Sequence, residues 1–198
     1  MKTIRTLFLG MLCLAQVLCA PAAWAATYSL DPDHSAVTFK VRHLFSKVAG
    51  GFDKFESTFD YEPGKPETWK AQAVIQAASI NTKVEPRDKH LRSKDFFEVE
   101  TYPTLTFTST KVTDATSEGA KLHGLLTIRG VEKPVVLDLQ IHGVGKDPWG
   151  NVRAGFTATG KIDRKDFGLT WNKAVEAGGF LVGDEVEITL EAEGLLKR

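Results

Sequence analysis

The sequence predicts an all-β fold: an antiparallel barrel of about eight strands with a short helix near residues 86–94. Three observations indicate this class. Apolar and polar residues alternate with a period of two along most of the chain, as in half-buried strands. Turn-forming pairs such as Pro63 and Gly64 separate these runs. Strands with one apolar face must close on themselves or pack as two sheets, because that face has to leave water.

Eight segments carry the strand pattern. The alternation is clear at 37–41, 55–61, 104–108, 122–128, 135–141, 156–162 and 186–192, and weaker, with smaller apolar residues, at 71–80. Segments 121–129 and 135–143 have the spacing of a hairpin. If polar residues share one face and the loop is 131–134, Leu126 lies opposite Leu139 and His123 lies opposite His142.

The helix is predicted from residues that fit no strand. Pro86 stands at a plausible first helical position, Asp88 falls in the first turn, and the segment 86–94 has no β-branched residue.

Residues 1–25 have the layout of a secretory signal peptide. Lys2 and Arg5 make a basic start, residues 7–20 are mostly apolar, and Ala23 and Ala25 supply a small-x-small cleavage site. The apolar run is shorter than the roughly 20 residues that a transmembrane helix needs. We expect an exported, periplasmic protein that does not span the membrane, with one domain at 26–198.

Both cysteines, Cys13 and Cys19, lie in this leader segment. We therefore expect a mature protein that begins close to Ala26 and has no disulfide, and the intact mass of the periplasmic form tests this. A mass that retains residues 1–25 would contradict it.

The charge balance constrains the partners. The chain has 25 basic and 25 acidic residues, and removal of Lys2 and Arg5 leaves 23 against 25, a net charge of −2. This near-neutral balance argues against nucleic acid, and against an anionic membrane, as the main partner.

The predicted inner face contains many small residues. Those in phase with the apolar positions are Ala71, Ala73, Ala77, Gly124, Gly143, Ala158, Gly160, Ala192 and Gly194. Small inward residues leave volume, and a barrel of about eight strands can hold one ligand. The alternative is that aromatic side chains from facing strands fill these gaps. The residues predicted to line the cavity are Phe39, Val41, Phe52, Phe59, Ile75, Phe107, Leu126, Phe156, Ala158, Gly160 and Ile188.

Several motifs carry a family resemblance across essentially the whole mature chain. They are Asp31-x-x-His34-Ser35, Phe39, His43, Gly51-Phe52, Arg87-Asp88-x-His90-Leu91-Arg92-Ser93-x-Asp95-Phe96, Tyr102-Pro103 with Phe107, Leu126-Thr127-x-Arg129-Gly130, and Arg164-x-Asp166-Phe167-Gly168-Leu169. Because these motifs occur together, in this order and at this spacing, the chain closely resembles the YceI-like family of periplasmic, lipocalin-like polyisoprenoid-binding proteins. The resemblance implies an extended antiparallel barrel, often a homodimer. It also implies a bound isoprenoid lipid, such as a quinone tail or a polyprenyl phosphate, and no established catalytic activity.

Basic residues near the helix are candidates for the ligand's head group. Arg87, His90 and Lys94 share one helix face, which could meet a phosphate or quinone head group. The alternative is a solvated face with local acidic partners. His43 could contact the head group or shape the barrel mouth, and the structural role is favoured. His123 and His142 supply only two potential ligands, too few for zinc, and no metal site is expected.

The sequence indicates no catalytic residues. There is no Ser/His/Asp order that stands out, no cysteine nucleophile in the mature part and no Gly-rich phosphate loop. No cofactor is expected beyond a bound isoprenoid or fatty lipid. Three functions remain: a carrier for such a lipid, an enzyme that modifies the lipid inside the barrel, and a structural stress protein with a filled barrel.

Overall fold

The computed structural model describes residues 26–174 and 180–197. These residues form eleven strands and one α-helix. In chain order they are β1 (Ala26–Leu30), β2 (Ala36–His43), β3 (Ser46–Phe52), β4 (Phe55–Tyr61), β5 (Lys70–Gln76), β6 (Ile80–Asn81), α1 (Glu85–Arg92), β7 (Thr104–Thr113), β8 (Gly119–Ile128), β9 (Val131–Lys146), β10 (Val152–Asp163) and β11 (Val182–Leu196). Short 3₁₀ helices lie at Pro32–His34, Pro66–Thr68, Ala77–Ser79 and Arg164–Phe167. In this part of the chain, none of the helices combines the length and the apolar composition that a membrane-spanning helix requires.

The strands form a closed eight-stranded antiparallel barrel, as the sequence predicts. The order is β1-β4-β5-β7-β8-β9-β10-β11, and β11 pairs with β1 to close the ring. Because β11 is long, its first part also pairs with β2, from which β3 and β6 continue. The barrel therefore has two ends. At the upper end β2 turns into β3 and α1 lies nearby; at the lower end β1 meets the end of β11.

The predicted alternation of inner and outer residues is confirmed. Phe39, Phe107 and Ile188 face the barrel interior. Lys40 and Lys161 are exposed on the outer face. These three inner residues are each flanked in their strand by polar neighbours, since successive side chains of a strand point to opposite faces.

The predicted register of the β8–β9 hairpin is wrong by several residues. The strands pair Ile128 with Val131 and Leu122 with Leu137, so the turn has only Arg129 and Gly130 between the strands. Both turn residues have positive φ, 51° for Arg129 and 72° for Gly130. This is the pattern of a type I′ turn, whose twist matches that of the flanking strands, and it explains why the longer loop is not used.

The shorter turn separates the two histidines that the predicted register brought together. His123 lies opposite Val136, and its Nε2 is 2.9 Å from the hydroxyl of Thr113. His142 lies further along β9, with its Nε2 2.7 Å from the hydroxyl of Thr157. The two rings therefore do not form a cross-hairpin pair.

The helix spans Glu85–Arg92 instead of 86–94. It ends before Lys94 because Ser93 takes an extended conformation with φ −74° and ψ 174°. Asp88 is buried in the first turn and accepts a hydrogen bond of 2.9 Å from the backbone N–H of Thr82. This contact fixes the start of the helix to the end of β6.

A four-residue ion cluster ties the lower barrel together. The guanidinium of Arg153 on β10 donates to Asp31, Asp147 and Glu193, which lie after β1, in the β9–β10 turn and on β11. Hydrogen bonds from Asn151 and Arg153 lower the pKa of Asp147 to about 2. Hydrogen bonding from Arg153 likewise lowers the pKa of Asp31.

These depressed pKa values predict loss of stability in acid. A carboxyl whose pKa is lower in the folded state stabilises the fold fully above its unfolded pKa of about 4, and that stabilisation is lost as the pH falls toward about 2. We expect the free energy of unfolding, measured by urea titration, to fall over this interval. In Arg153→Ala the fall should be smaller, because the carboxyls then lack the cation. An equal acid dependence in both proteins would contradict the assignment.

Candidate ligand-binding tunnel

A cavity of ≈ 640 Å³ lies inside the barrel. Its lining residues on β11 extend from Val182 to Ala192, and ten residues of strand cover about 33 Å. The cavity is therefore a long tunnel along the strands, with almost entirely apolar walls. Of the predicted lining residues, those that contact it are Phe39, Val41, Phe52, Phe59, Ile75, Phe107, Leu126, Phe156, Ala158 and Ile188.

Gly160 is the predicted lining residue that does not contact the tunnel. A Cβ at this position would lie 2.6 Å from Cδ2 of Leu137, so the Leu137 side chain covers the glycine. Two other inner glycines are covered in the same way, Gly124 by the ring of Phe107 and Gly194 by the ring of Phe59. The gaps at these glycines are therefore filled by large neighbours, which is the alternative that the sequence left open.

Alanines provide the open volume instead. Ala71 and Ala73 on β5, Ala158 on β10 and Ala192 on β11 all line the tunnel. Each occupies an inner position where a larger side chain would project into the tunnel. The width of the tunnel thus depends on methyl groups on three strands.

Aromatic side chains close the lower end. The Tyr61 ring packs 4.8 Å from both Trp69 and Phe156, measured between ring centroids, and the Phe59 ring lies 5.3 Å from Phe156. The indole N–H of Trp69 donates to the backbone carbonyl of Glu62 at 2.7 Å, which satisfies its polar atom. Such buried, interlocked rings form a rigid apolar floor.

Polar groups gather at the upper end, which we call the mouth. His43, Arg87 and His90 line the tunnel there. Arg87 donates to the hydroxyl and the carbonyl of Thr82, at 2.7 and 2.9 Å, so the guanidinium is held in place at the tunnel wall. The other predicted head-group residue, Lys94, follows the helix and does not line the tunnel.

His90 is oriented by three contacts. Its Nε2 lies 3.0 Å from a carboxylate oxygen of Asp95, and its ring packs edge-on against Phe96 and Trp171 at centroid distances of 5.1 and 4.8 Å. The structure therefore brings three of the four predicted head-group residues to the mouth. The fixed rings and guanidinium can present hydrogen-bond donors to a polar group there.

A buried arginine shapes the mouth, and sequence reasoning missed this role. Arg164 is 5% exposed and donates to the carbonyls of Gly183, Leu169 and Trp171 and to the carboxylate of Asp184. Leu169 and Trp171 line the tunnel, as does Arg164 itself. The segment has no strand or helix periodicity, so alternation did not indicate that it forms part of the wall, although Arg164 and Leu169 belong to one of the family motifs.

Among the described residues, one group of potential cation ligands lies outside the tunnel. Oxygen and nitrogen atoms of Asp31, His34 and Glu193 lie within 4.8 Å of one another. Arg153 already supplies a cation to both carboxylates, at 2.7 and 2.6 Å. The cluster is thus explained by the ion pairs of the lower barrel.

The closed antiparallel barrel and its apolar tunnel define a lipid-binding barrel. The YceI-like domain model matches residues 28–194. The chain belongs to the YceI-like family.

Relatives of known sequence or structure agree with this assignment. The chain is 40% identical over 190 residues to UPF0312 protein YE1254 of Yersinia enterocolitica, covering 94% of this chain and 95% of that protein. A crystal structure of the Campylobacter jejuni YCEI protein is similar with a TM-score of 0.70 and 37% identity, over 80% of this chain and 91% of that one. A polyisoprenoid binding domain from Saccharophagus degradans shares the fold, with a TM-score of 0.64 and 20% identity over 87% and 99% of the two chains.

Proposed function

We propose that this protein is a periplasmic carrier that holds one long isoprenoid lipid, of the quinone-tail or polyprenyl phosphate class, in the tunnel. The observation that carries the proposal is the apolar tunnel of ≈ 640 Å³, whose inward-facing charged and imidazole side chains all lie at one end, the mouth. A long chain with a small polar head matches this division. The polyisoprenoid binding domain that shares the fold supports the same ligand class.

The proposed orientation follows from the two ends of the tunnel. The tail lies between the alanine-lined walls and reaches the aromatic floor of Tyr61, Trp69 and Phe156. Asp60 and Lys70 also lie at that level, but they are a cross-strand pair whose positions alternate with the inner residues, so their side chains leave from the outer face. The head group remains at the mouth beside Arg87 and His90.

Burial of the tail supplies the affinity. Each CH₂ group transferred from water contributes up to about 0.8 kcal/mol, before the costs of association are subtracted. The head group then contributes mainly to orientation. A carrier needs no chemical step, so the bound lipid leaves the protein unchanged, and the features of residues 1–25 support a periplasmic site of action.

Solvent extraction of the purified protein followed by mass spectrometry tests the ligand class. The expected result is one isoprenoid chain per barrel, with the same mass before and after prolonged incubation. Recovery of fatty acyl lipids alone would contradict the isoprenoid class. A change in the lipid's mass on incubation would indicate an enzyme instead of a carrier.

The polar side chains at the mouth lead to a separate prediction about recognition of the head group. Replacing Arg87 with Ala removes the guanidinium at the tunnel wall, so affinity for a phosphate-headed isoprenoid should fall about tenfold, as expected for loss of one charge-assisted contact. Affinity for the corresponding alcohol should stay unchanged. Lys94→Ala is the matched control, since Lys94 lies outside the tunnel lining. Equal losses for both ligands in Arg87→Ala would show that the residue supports the fold and does not read the head group.

A further inference from the structure

Three exposed apolar side chains lie around the mouth, and two of them do not line the tunnel. Phe45, at the tip of the β2–β3 hairpin, is 99% exposed, and Phe180 is 64% exposed. Val84, which also lines the tunnel, is 43% exposed. Isolated exposed apolar residues are ordinary, but three around one opening are a feature that needs an explanation.

The two phenylalanines lie on neighbouring chain segments just above the tunnel. His43 pairs with Val182 in the register of β2 and β11, and both line the tunnel. One step further out, the backbone N–H of Leu44 donates to the carbonyl of Leu181 at 3.1 Å. Phe45 and Phe180 are the next residues outward on these two segments. They therefore lie at the edge of the mouth, outside the tunnel lining.

Charge at the mouth differs from charge over the whole protein. We define the rim as residues 42–47, 83–89, 165–174 and 180–184. It contains seven basic and four acidic residues, a net charge of +3, in a mature chain of net charge −2. The basic residues are Arg42, Lys47, Lys83, Arg87, Lys89, Lys165 and Lys173. The Nζ of Lys165 lies 5.8 Å from the centroid of the Phe180 ring, so a cation accompanies the aromatic group.

We propose that the rim docks the tunnel mouth onto the surface of a lipid bilayer that contains anionic lipid. Exposed aromatic rings with adjacent lysines and arginines are the chemistry that inserts at a headgroup boundary and is attracted to negative lipid. The position of this surface argues for a bilayer over a protein partner, because it surrounds the opening through which the tunnel's ligand passes. This inference rests on the proposed function, since a docked mouth lets an isoprenoid chain move between bilayer and tunnel without crossing water.

Vesicle flotation tests the docking surface directly. The mature protein is floated with vesicles of phosphatidylcholine, with and without phosphatidylglycerol. We expect binding that increases with phosphatidylglycerol and weakens at high salt. Phe45→Ser should bind about tenfold more weakly, and it leaves no core cavity because Phe45 is 99% exposed.

The lower end of the barrel provides a matched control. Trp149, in the β9–β10 turn, is 81% exposed but lies at the opposite end from the mouth. Trp149→Ser should bind vesicles as well as the wild type. Absence of wild-type binding, or equal loss in both variants, would overturn the proposal. So would a light-scattering result in which the wild type is a dimer, Phe45→Ser is a monomer and neither binds vesicles, because the rim would then join two copies of the chain.

A second measurement separates this proposal from the function on which it rests. Binding of a soluble short-chain isoprenoid alcohol is measured in the absence of vesicles. We expect Phe45→Ser to bind it as tightly as the wild type, because Phe45 does not line the tunnel. If the wild type binds vesicles but not the alcohol, the carrier function fails while the docking surface stands. If it binds the alcohol but not vesicles, docking alone fails.

Discussion

Replacing Ala158 with Phe should abolish lipid loading while the barrel still folds. Ala158 lines the tunnel on β10, between Leu139 on β9 and Leu190 on β11, which line it too. A ring in place of the methyl group would project into the open volume and block the path of a chain. We expect the lipid extracted per mole of protein to fall about tenfold or more. The free energy of unfolding should change by about 1 kcal/mol, because the added ring enters a cavity and not a packed core.

Two further variants keep this experiment decisive. Ala192→Phe narrows the same tunnel from β11 and should give the same loss if Ala158→Phe fails to fold. Ala49→Phe adds the same ring at an exposed position on β3 and should leave lipid content unchanged. Folded Ala158→Phe protein that carries the wild-type amount of lipid would show that the ligand does not occupy the tunnel.

Replacing Arg164 with Ala should cause a large fall in the free energy of unfolding. The change removes donors from three backbone carbonyls and from Asp184, and the arginine itself is 5% exposed. Buried acceptors left without donors cost about 1–3 kcal/mol each, with partial recovery from water that enters. We expect the free energy of unfolding to fall by about 3 kcal/mol, measured by urea titration.

The neighbouring residue is the control for this change. Lys165 also contacts Asp184, at 2.7 Å, but its side chain is 43% exposed. Exposed ion pairs contribute about 0–1 kcal/mol, so Lys165→Ala should have a small effect on the free energy of unfolding. Similar losses in the two variants would contradict the role assigned to the carbonyl contacts.

Arg164→Ala should also release lipid faster, because Leu169 and Trp171 form part of the wall.

The period-two pattern predicted the inner face well, because a one-residue slip along a strand would bury charged side chains. It placed Phe39, Phe107 and Ile188 inside and Lys40 outside, as observed. The family resemblance supplied the ligand class, which no periodicity could give.

The pattern could not predict features that depend on neighbours in space. The register of β8 and β9 depends on the left-handed conformations of Arg129 and Gly130, and an Arg-Gly pair is a weak hairpin signal. Whether an inner glycine leaves space depends on the adjacent strand, so Gly160 was predicted to line the tunnel although Leu137 covers it. The barrel is also closed by the short strand β1, which was not among the predicted strands.

The mouth was predicted only in part for a related reason. Helix spacing predicted Arg87 and His90 as a pair, but Arg164 comes from a short 3₁₀ helix and Trp171 and Leu181 come from irregular segments. Net charge also concealed the basic rim, because a whole-chain balance averages over the surface. Both features become visible only when the segments are placed in space.

Photo-crosslinking tests the central claim most directly. An isoprenoid with a diazirine at the end of its tail is loaded into the mature protein, irradiated and mapped by peptide mass spectrometry. The account predicts labels on the aromatic floor at Tyr61, Trp69 and Phe156, and the same probe with the diazirine beside the head group should label the mouth near His43 and His90. Labels confined to outer-face residues such as Lys40 and Lys161, from either probe, would contradict a ligand inside the barrel.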